Sequence, residues 1–416
     1  MTTTRDDTVQ LKPVKKVSVW RNRDYVLLWC GQAISTIGGS VSDLAFPLLV
    51  LAVTSSPAQA GITAALRALP ATLFTLSGGV LVDRWNRKRV MLFCEVGRFL
   101  SLASIPLALM LNHLTIYQLY ITSFVEGTLA ILFGLAHTAS LGQVVAREQL
   151  AAAITQEELM EGTTALCGPS LSGLLFTLGR ALPFVADAIS YAASIATLLL
   201  IRTPFQGARA TTRYHLLVEM RAGITWMWQQ SFIRYATLFM AVATLVMSRT
   251  DLSIIVLAQQ RGALPVVIGV IFALGGVGSI VGSLLTPFWE KHLTVGQSML
   301  LVRWTFVLLM PLYVLMPVPL LMGLAEFIRG FVDPIEDVSY FSHRLWLIPE
   351  ALRGRVIAAC RIFPSLVRPL GMLIMGLLLQ VLGPVSTLLI STGGSLLVAL
   401  LMTGNRHIRT ARREQG

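Results

Sequence analysis

Charge is scarce in this sequence. Only 13% of its 416 residues are Asp, Glu, Lys or Arg, while 55% are hydrophobic. An ordinary soluble domain carries about 25% charged residues. A water-soluble chain of this length would have to hide far too much apolar surface, and a lipid bilayer removes that demand. Other scarcities exclude further classes. Four cysteines (Cys30, Cys94, Cys167, Cys360) lie in apolar surroundings without C-x-x-C spacing, so buried free thiols are expected. Six scattered histidines form no metal-ligand constellation and no H-E-x-x-H. No G-x-x-x-x-G-K-[ST] loop is present, so ATP is not the expected energy source. The stretch GGVGSIVGS (Gly275–Ser283) has the wrong spacing for a nucleotide loop and reads as close helix packing through small residues. No nucleophile and base converge in the sequence, so no enzyme and no cofactor are expected. Residues 1–24 are polar and lack a small-residue cleavage site, so no secretory leader is expected.

What is present is long apolar runs. About 20 apolar residues cross a bilayer as a helix. Twelve such spans are expected, at 25–51, 59–82, 89–110, 115–139, 155–178, 181–201, 233–257, 264–287, 297–316, 319–340, 356–382 and 384–403. Short turns at Arg180-Ala181 and Gly383-Pro384 separate neighbours. With both termini cytoplasmic, 23 of the 33 lysines and arginines fall on that side, and only Arg180 and Arg261 on the other. This asymmetry follows the positive-inside rule. It also absorbs most of the net charge of +12, so the bases imply lipid headgroups and topology rather than nucleic acid.

The expected organisation is a cytoplasmic tail at 1–24, a six-helix bundle at 25–201, a central cytoplasmic loop at 202–232, a second bundle at 233–403 and a basic tail at 404–416. Within the loop, Leu217, Met220, Ile224 and Trp228 share one face, predicting a helix on the inner membrane surface. The halves echo each other at an offset near 202. Gly79 matches Gly282, VVAREQLAAA matches LIPEALRGRV, and Pro169 approximately matches Pro369. Two six-span repeats are the arrangement of many secondary transporters.

The turn GGVLVDRWNRKRV (Gly78–Val90) resembles the signature of the major facilitator superfamily, with Gly79, Asp83, Arg84, Arg87 and Lys88 in place and Asn86 where a second Gly is usual. WRNRDYVLLWCGQAIS before span one, RALP at Arg67–Pro70 and LRGRV at Leu352–Val356 resemble the macrolide-efflux and siderophore-exporter branch. The resemblance covers almost the whole chain. It implies an all-α integral membrane fold of twelve helices in two pseudo-repeats, with spans one, four, seven and ten lining a central cavity. It also implies that Asp83 and Arg84 hold the halves together on the cytoplasmic side. Asp83 against the N-terminus of span eleven, near Gly354, would act as a latch. The chain departs from proton-coupled exporters in span four, where SFVEGTLAIL has Ser123 near the usual Arg and Glu126-Gly127 for Gln-Gly.

Ionisable residues within spans are expensive and should pair or face water. Asp43 shares a face of span one with Gln32, Thr36 and Gly39. Arg67 in span two and Glu126 in span four are expected to pair, as a structural bridge or in coupling. Asp187 in span six is expected near the outer surface, solvated. Arg249 and Asp251, two residues apart, point to different faces and need partners on other helices. Glu326, Arg329, Asp333 and Asp337 form a stripe along span ten, where Glu326 and Arg329 can pair. Arg361 and Arg368 share a face of span eleven. Of these, Asp43, Arg67, Glu126, Arg249, Asp251, Glu326, Arg329, Asp333, Arg361 and Arg368 are the candidates for proton or substrate coupling. The expected function is proton-coupled efflux of an amphipathic small molecule by a monomer in a bacterial plasma membrane. An uptake permease of the same fold, or a non-transporting receptor or assembly protein, is the alternative.

Overall fold

The computed structural model describes residues 19–146, 149–205, 216–248 and 250–411. Most of the N-terminal tail, residues 206–215 of the central loop and Arg249 lie outside that set. The described residues are almost wholly helical: α1 (Arg23–Thr54), α2 (Pro57–Arg84), α3 (Arg87–Met110), α4 (Ile116–Val144), α5 (Leu150–Leu178), α6 (Leu182–Leu200), α7 (Leu216–Gln229), α8 (Ser231–Met247), α9 (Thr250–Gln260), α10 (Pro265–His292), α11 (Val295–Leu315), α12 (Met322–Leu347), α13 (Arg353–Gly404) and α14 (Arg406–Arg409).

Local chemistry sets several helix starts. The side chains of Asn22, Ser56, Asn86 and Thr115 each accept a hydrogen bond from a first-turn backbone N–H of α1, α2, α3 and α4. Thr294 and Gln297 form a reciprocal capping box at α11.

Among the described residues, eight helices are long and apolar enough to cross a membrane, counting Ser231–Gln260 and α13 as one each. The 52-residue α13 is two helices: Gly383 adopts φ 75°, and the chain folds back there. Gly371 and Gly394, on either side of it, both press on one turn of α8. A Cβ at Gly371 would lie 2.7 Å from the Leu245 carbonyl, and one at Gly394 2.8 Å from a Val246 methyl. Helices α2, α5 and α12 have spanning length but are too polar for that count. The arrangement fits twelve spans. Span seven, expected to be continuous over 233–257, is instead broken into α8 and α9, with non-helical backbone at Ser248.

The helices pack in two groups. In the first, α1 contacts α5 and α6, α2 contacts α4, and α3 contacts α4 and α6. In the second, α10 contacts α12, α11 contacts α12 and α13, and α8 contacts α13. Two seams join the groups, α2 against α13 and α5 against α10. The repeat exchanges these seams, since α2 corresponds to α10 and α5 to the first half of α13. Both seams are tightest at the end of the bundle away from the chain termini. There a Cβ on Gly376 would lie 2.7 Å from the Gly61 Cα, and one on Gly269 3.1 Å from the Gly173 Cα. Ser56 donates to Gln380 across one seam at 2.8 Å, and the Val266 N–H donates to Thr177 across the other at 3.1 Å. At the terminal end, Gly79, Gly162 and Gly354 face open space. The predicted loop helix is present as α7 and packs on α13, burying Met227 against Val356, Ala359 and Cys360.

Candidate functional site

A central cavity of 1290 Å³ lies between the two groups of helices. Helices α1, α4, α9 and α12 line it, as expected for spans one, four, seven and ten, but α2, α5, α10 and α13 contribute as well. Its walls carry Asp43, Arg67, Asp251, Arg329, Asp333, Asp337, Arg361 and Arg368.

On the first wall, Arg67 reaches Asp43 at 2.7 Å, and the Asp43 side chain remains 65% exposed. The close approach of α2 to α4 sets this position: a Cβ on Gly127 would sit 2.1 Å from the Arg67 carbonyl oxygen. Behind this rim lies a buried network that sequence reasoning only partly found. Glu126 accepts from Arg98 Nε at 2.8 Å and from the Tyr191 hydroxyl at 2.7 Å, with its side chain 1% exposed. Arg98 lies over the Tyr191 ring at 4.2 Å and reaches Glu95 at 3.9 Å. Asp187 is fully buried beside Ser190 and Tyr191.

Two expectations are corrected here. Glu126 bonds to Arg98 on α3 rather than Arg67, because Arg67 is drawn to the nearer Asp43. Asp187 is not solvated near an outer surface, because α6 turns it inward onto Tyr191 and Glu126. Glu95 and Arg98 were missed; their signal was two charges three residues apart inside an apolar run.

The second wall has a related design. Fully buried Glu326 accepts from the Tyr313 hydroxyl at 2.9 Å and from Arg329 Nε at 2.8 Å, so the expected pair within span ten is present. Arg329 also reaches Asp251 at 3.8 Å and Asp333 at 3.8 Å. Asp251 thus finds its partner on another helix, and its side chain is 50% exposed to the cavity. Arg249 lies outside the described residues. In each half a cavity-facing aspartate meets an arginine, and a buried glutamate is held by an arginine and a tyrosine hydroxyl. In the second half Arg329 touches both acids; in the first, Arg67 meets Asp43 while Arg98 holds Glu126. Deeper in the second half, Arg303 pairs with Glu336, another pair the sequence reading missed.

In the motif turn, Arg87 donates to the Ala139 carbonyl at 2.9 Å and Lys88 to the Ile201 carbonyl at 2.7 Å, tying α3 to the ends of α4 and α6. Arg84 is exposed in the last turn of α2. The Asp83 side chain lies outside the described residues, and Gly354 is exposed.

Two pseudo-equivalent bundles around a charged cavity, closed at one end by paired seams, define a multi-pass membrane transporter of the major facilitator class. Residues 15–403 match the family described as transmembrane secretion effectors, and the chain belongs to that family. It is similar to the multidrug efflux pump Tap of Mycolicibacterium fortuitum, with 24% identity over 85% of this chain and 88% of the pump. It is equally similar to the enterobactin exporter EntS of Escherichia coli O1:K1, with 24% identity over 89% of this chain and 88% of the exporter. In shape it resembles a bacterial homologue of the iron transporter ferroportin in its inward-facing state, with TM-score 0.73, 16% identity and coverage of 93% and 99% of the two chains. The outward-facing state of a bacterial ferroportin homologue fits less well, with TM-score 0.59, 16% identity and coverage of 91% and 98%.

Proposed function

We propose that this transporter exports an amphipathic small molecule by alternating access, driven by proton entry. The observation that carries the reading is that each half sets an exposed, arginine-bound aspartate on the cavity wall in front of a buried, arginine-bound glutamate. In the first half, four carboxyl groups (Asp43, Glu95, Glu126, Asp187) surround two guanidinium groups (Arg67, Arg98). In the second, Asp251, Glu326 and Asp333 share Arg329. A carboxyl group without a counter-charge in a low-dielectric interior takes up a proton or a cation. Asp43 and Asp251 meet the cavity water and are the entry points. A proton there releases Arg67 or Arg329 to rearrange around the glutamate behind it.

The description of the family and the activities of Tap and EntS support export. The charge asymmetry along the chain supports cytoplasmic termini, and therefore a cavity facing the cytoplasm, ready to load. The bundles 25–201 and 233–403 then rock about the cavity, the paired glycine seams part, and Asp83 latches the opposite end near Gly354. The break between α8 and α9 beside Asp251 supports an ion or substrate site there, since transporters often build such sites from discontinuous helices.

The test uses purified protein in proteoliposomes with an imposed proton gradient and a panel of fluorescent lipophilic cations, macrolides and catecholates. The expected result is gradient-driven movement into the compartment the far end faces, lost in Asp43→Asn or Asp251→Asn. Movement that ignores the gradient would remove proton coupling and leave a facilitator.

A further inference from the structure

Two cavity arginines take no part in the proton path. Arg67 and Arg329 are held by Asp43 and Glu326. Arg361 and Arg368 are exposed on the cavity wall of α13, and neither has an acidic partner within salt-bridge distance among the described residues. A guanidinium is never neutral at physiological pH, and an unpaired one within a span is costly to keep. These two stand seven residues apart, about 10.5 Å along the helix axis. Between them the Thr72 hydroxyl donates to the Ser365 carbonyl at 2.7 Å, which pins this stretch of α13 against α2. The guanidinium bases therefore rise from a braced helix rather than a loop. Groups placed on such elements hold their geometry best. The acids of the cavity lie on other elements: Asp43 on α1, Asp251 on α9, and Asp333 and Asp337 on α12. The cavity is bipolar, with a basic wall on α13.

We propose that Arg361 and Arg368 form an oxyanion-binding wall, and that the transported molecule is an amphiphile bearing a carboxylate or comparable acidic oxygen group. The planar guanidinium fork matches a carboxylate with two parallel hydrogen bonds. The aspartates opposite repel the same group, so the molecule enters with its acidic end toward α13. Its apolar part meets Phe46, Ile255, Phe272 and Met372, which line the same cavity. This assignment rests on the export reading for the claim that the cavity is the substrate path.

The test is equilibrium binding to the full chain in nanodiscs, read by the fluorescence of dansylaminoundecanoate and of its methyl ester. The wild-type protein is expected to bind the acid at least about tenfold more tightly than the ester, from one charge-assisted pair. Arg361→Gln and Arg368→Gln each lower affinity for the acid about tenfold and leave the ester within about twofold. Arg361→Lys and Arg368→Lys recover part of the loss, because charge returns without the fork. The ester reports folding of every variant, and the wild-type comparison needs no variant at all. Equal affinity of wild type for acid and ester, or equal losses for both in the glutamine variants, overturns the proposal. Arginine-dependent acid binding without gradient-driven transport would sink the export reading and leave this site standing. Transport without acid selectivity would do the reverse.

Discussion

Replacing Arg98 with Met and Glu126 with Gln, singly and together, probes the network beneath the cavity. Arg98 touches three groups: Glu126 at 2.8 Å, Glu95 at 3.9 Å and the Tyr191 ring at 4.2 Å. Glu126→Gln keeps an acceptor oxygen but removes the charge that strengthens the bonds from Arg98 and Tyr191, and Arg98 still has Glu95 and the ring, so the loss is about 1.5–3 kcal/mol. Arg98→Met strands Glu95 and Glu126, both buried. Breaking a buried pair from that side costs about 3–5 kcal/mol. The double variant removes the Arg98–Glu126 bond once rather than twice. Its destabilisation should fall short of the sum of the singles by about 1.5–3 kcal/mol, the energy of that bond. Thermal unfolding in one fixed detergent, followed by tryptophan fluorescence, measures all four proteins. Strict additivity, or Glu126→Gln costing more than Arg98→Met, would refute the network as drawn.

Other expectations follow from single contacts. Gly376→Leu drives a side chain into the Gly61 backbone, so the folded protein should lose transport while cavity labelling from the far end increases. Cysteines at Thr177 and Val266, where the Val266 backbone N–H meets the Thr177 hydroxyl across the seam at 3.1 Å, should cross-link and stop transport until reduced. Arg261 donates to the carbonyls of Tyr313 and Val314 at 3.1 and 2.6 Å, and also to that of Met316, at the end of α11. Arg261→Gln should therefore lower stability by about 1.5–3 kcal/mol, seen as a lower melting temperature, whereas exposed Arg180→Gln should not.

The spans were legible because apolarity and the side bias of the bases are properties of the chain itself. So was the bond between Glu326 and Arg329, since three residues on a helix bring two side chains together. The break at Ser248 was not legible: the run through it stays apolar, and a bilayer tolerates irregular backbone only where protein or cavity water satisfies it. Nor was the partner of Glu126. Two arginines on different helices competed for it, and the choice depends on how closely Gly127 lets α2 approach α4. Glu95 and Arg98 passed unnoticed because two opposite charges in one apolar run lower its mean hydropathy little. Tyr191 and Tyr313 gave no signal because an aromatic residue fits a lipid-facing helix as well as a buried acid.

The fold-back at Gly383 has a consequence for how the chain is made. The last two spans meet at one residue with positive φ, followed at once by Pro384. No polar loop has to be carried across the membrane, so the pair can enter it as a single hairpin. Biogenesis of this last pair of spans then depends on one residue. Any L-amino acid at Gly383 meets the steric penalty of left-handed backbone during insertion, before there is a cavity or a substrate to select against it. Such variants should therefore show up as reduced amounts of protein in the membrane, not as slow transporters.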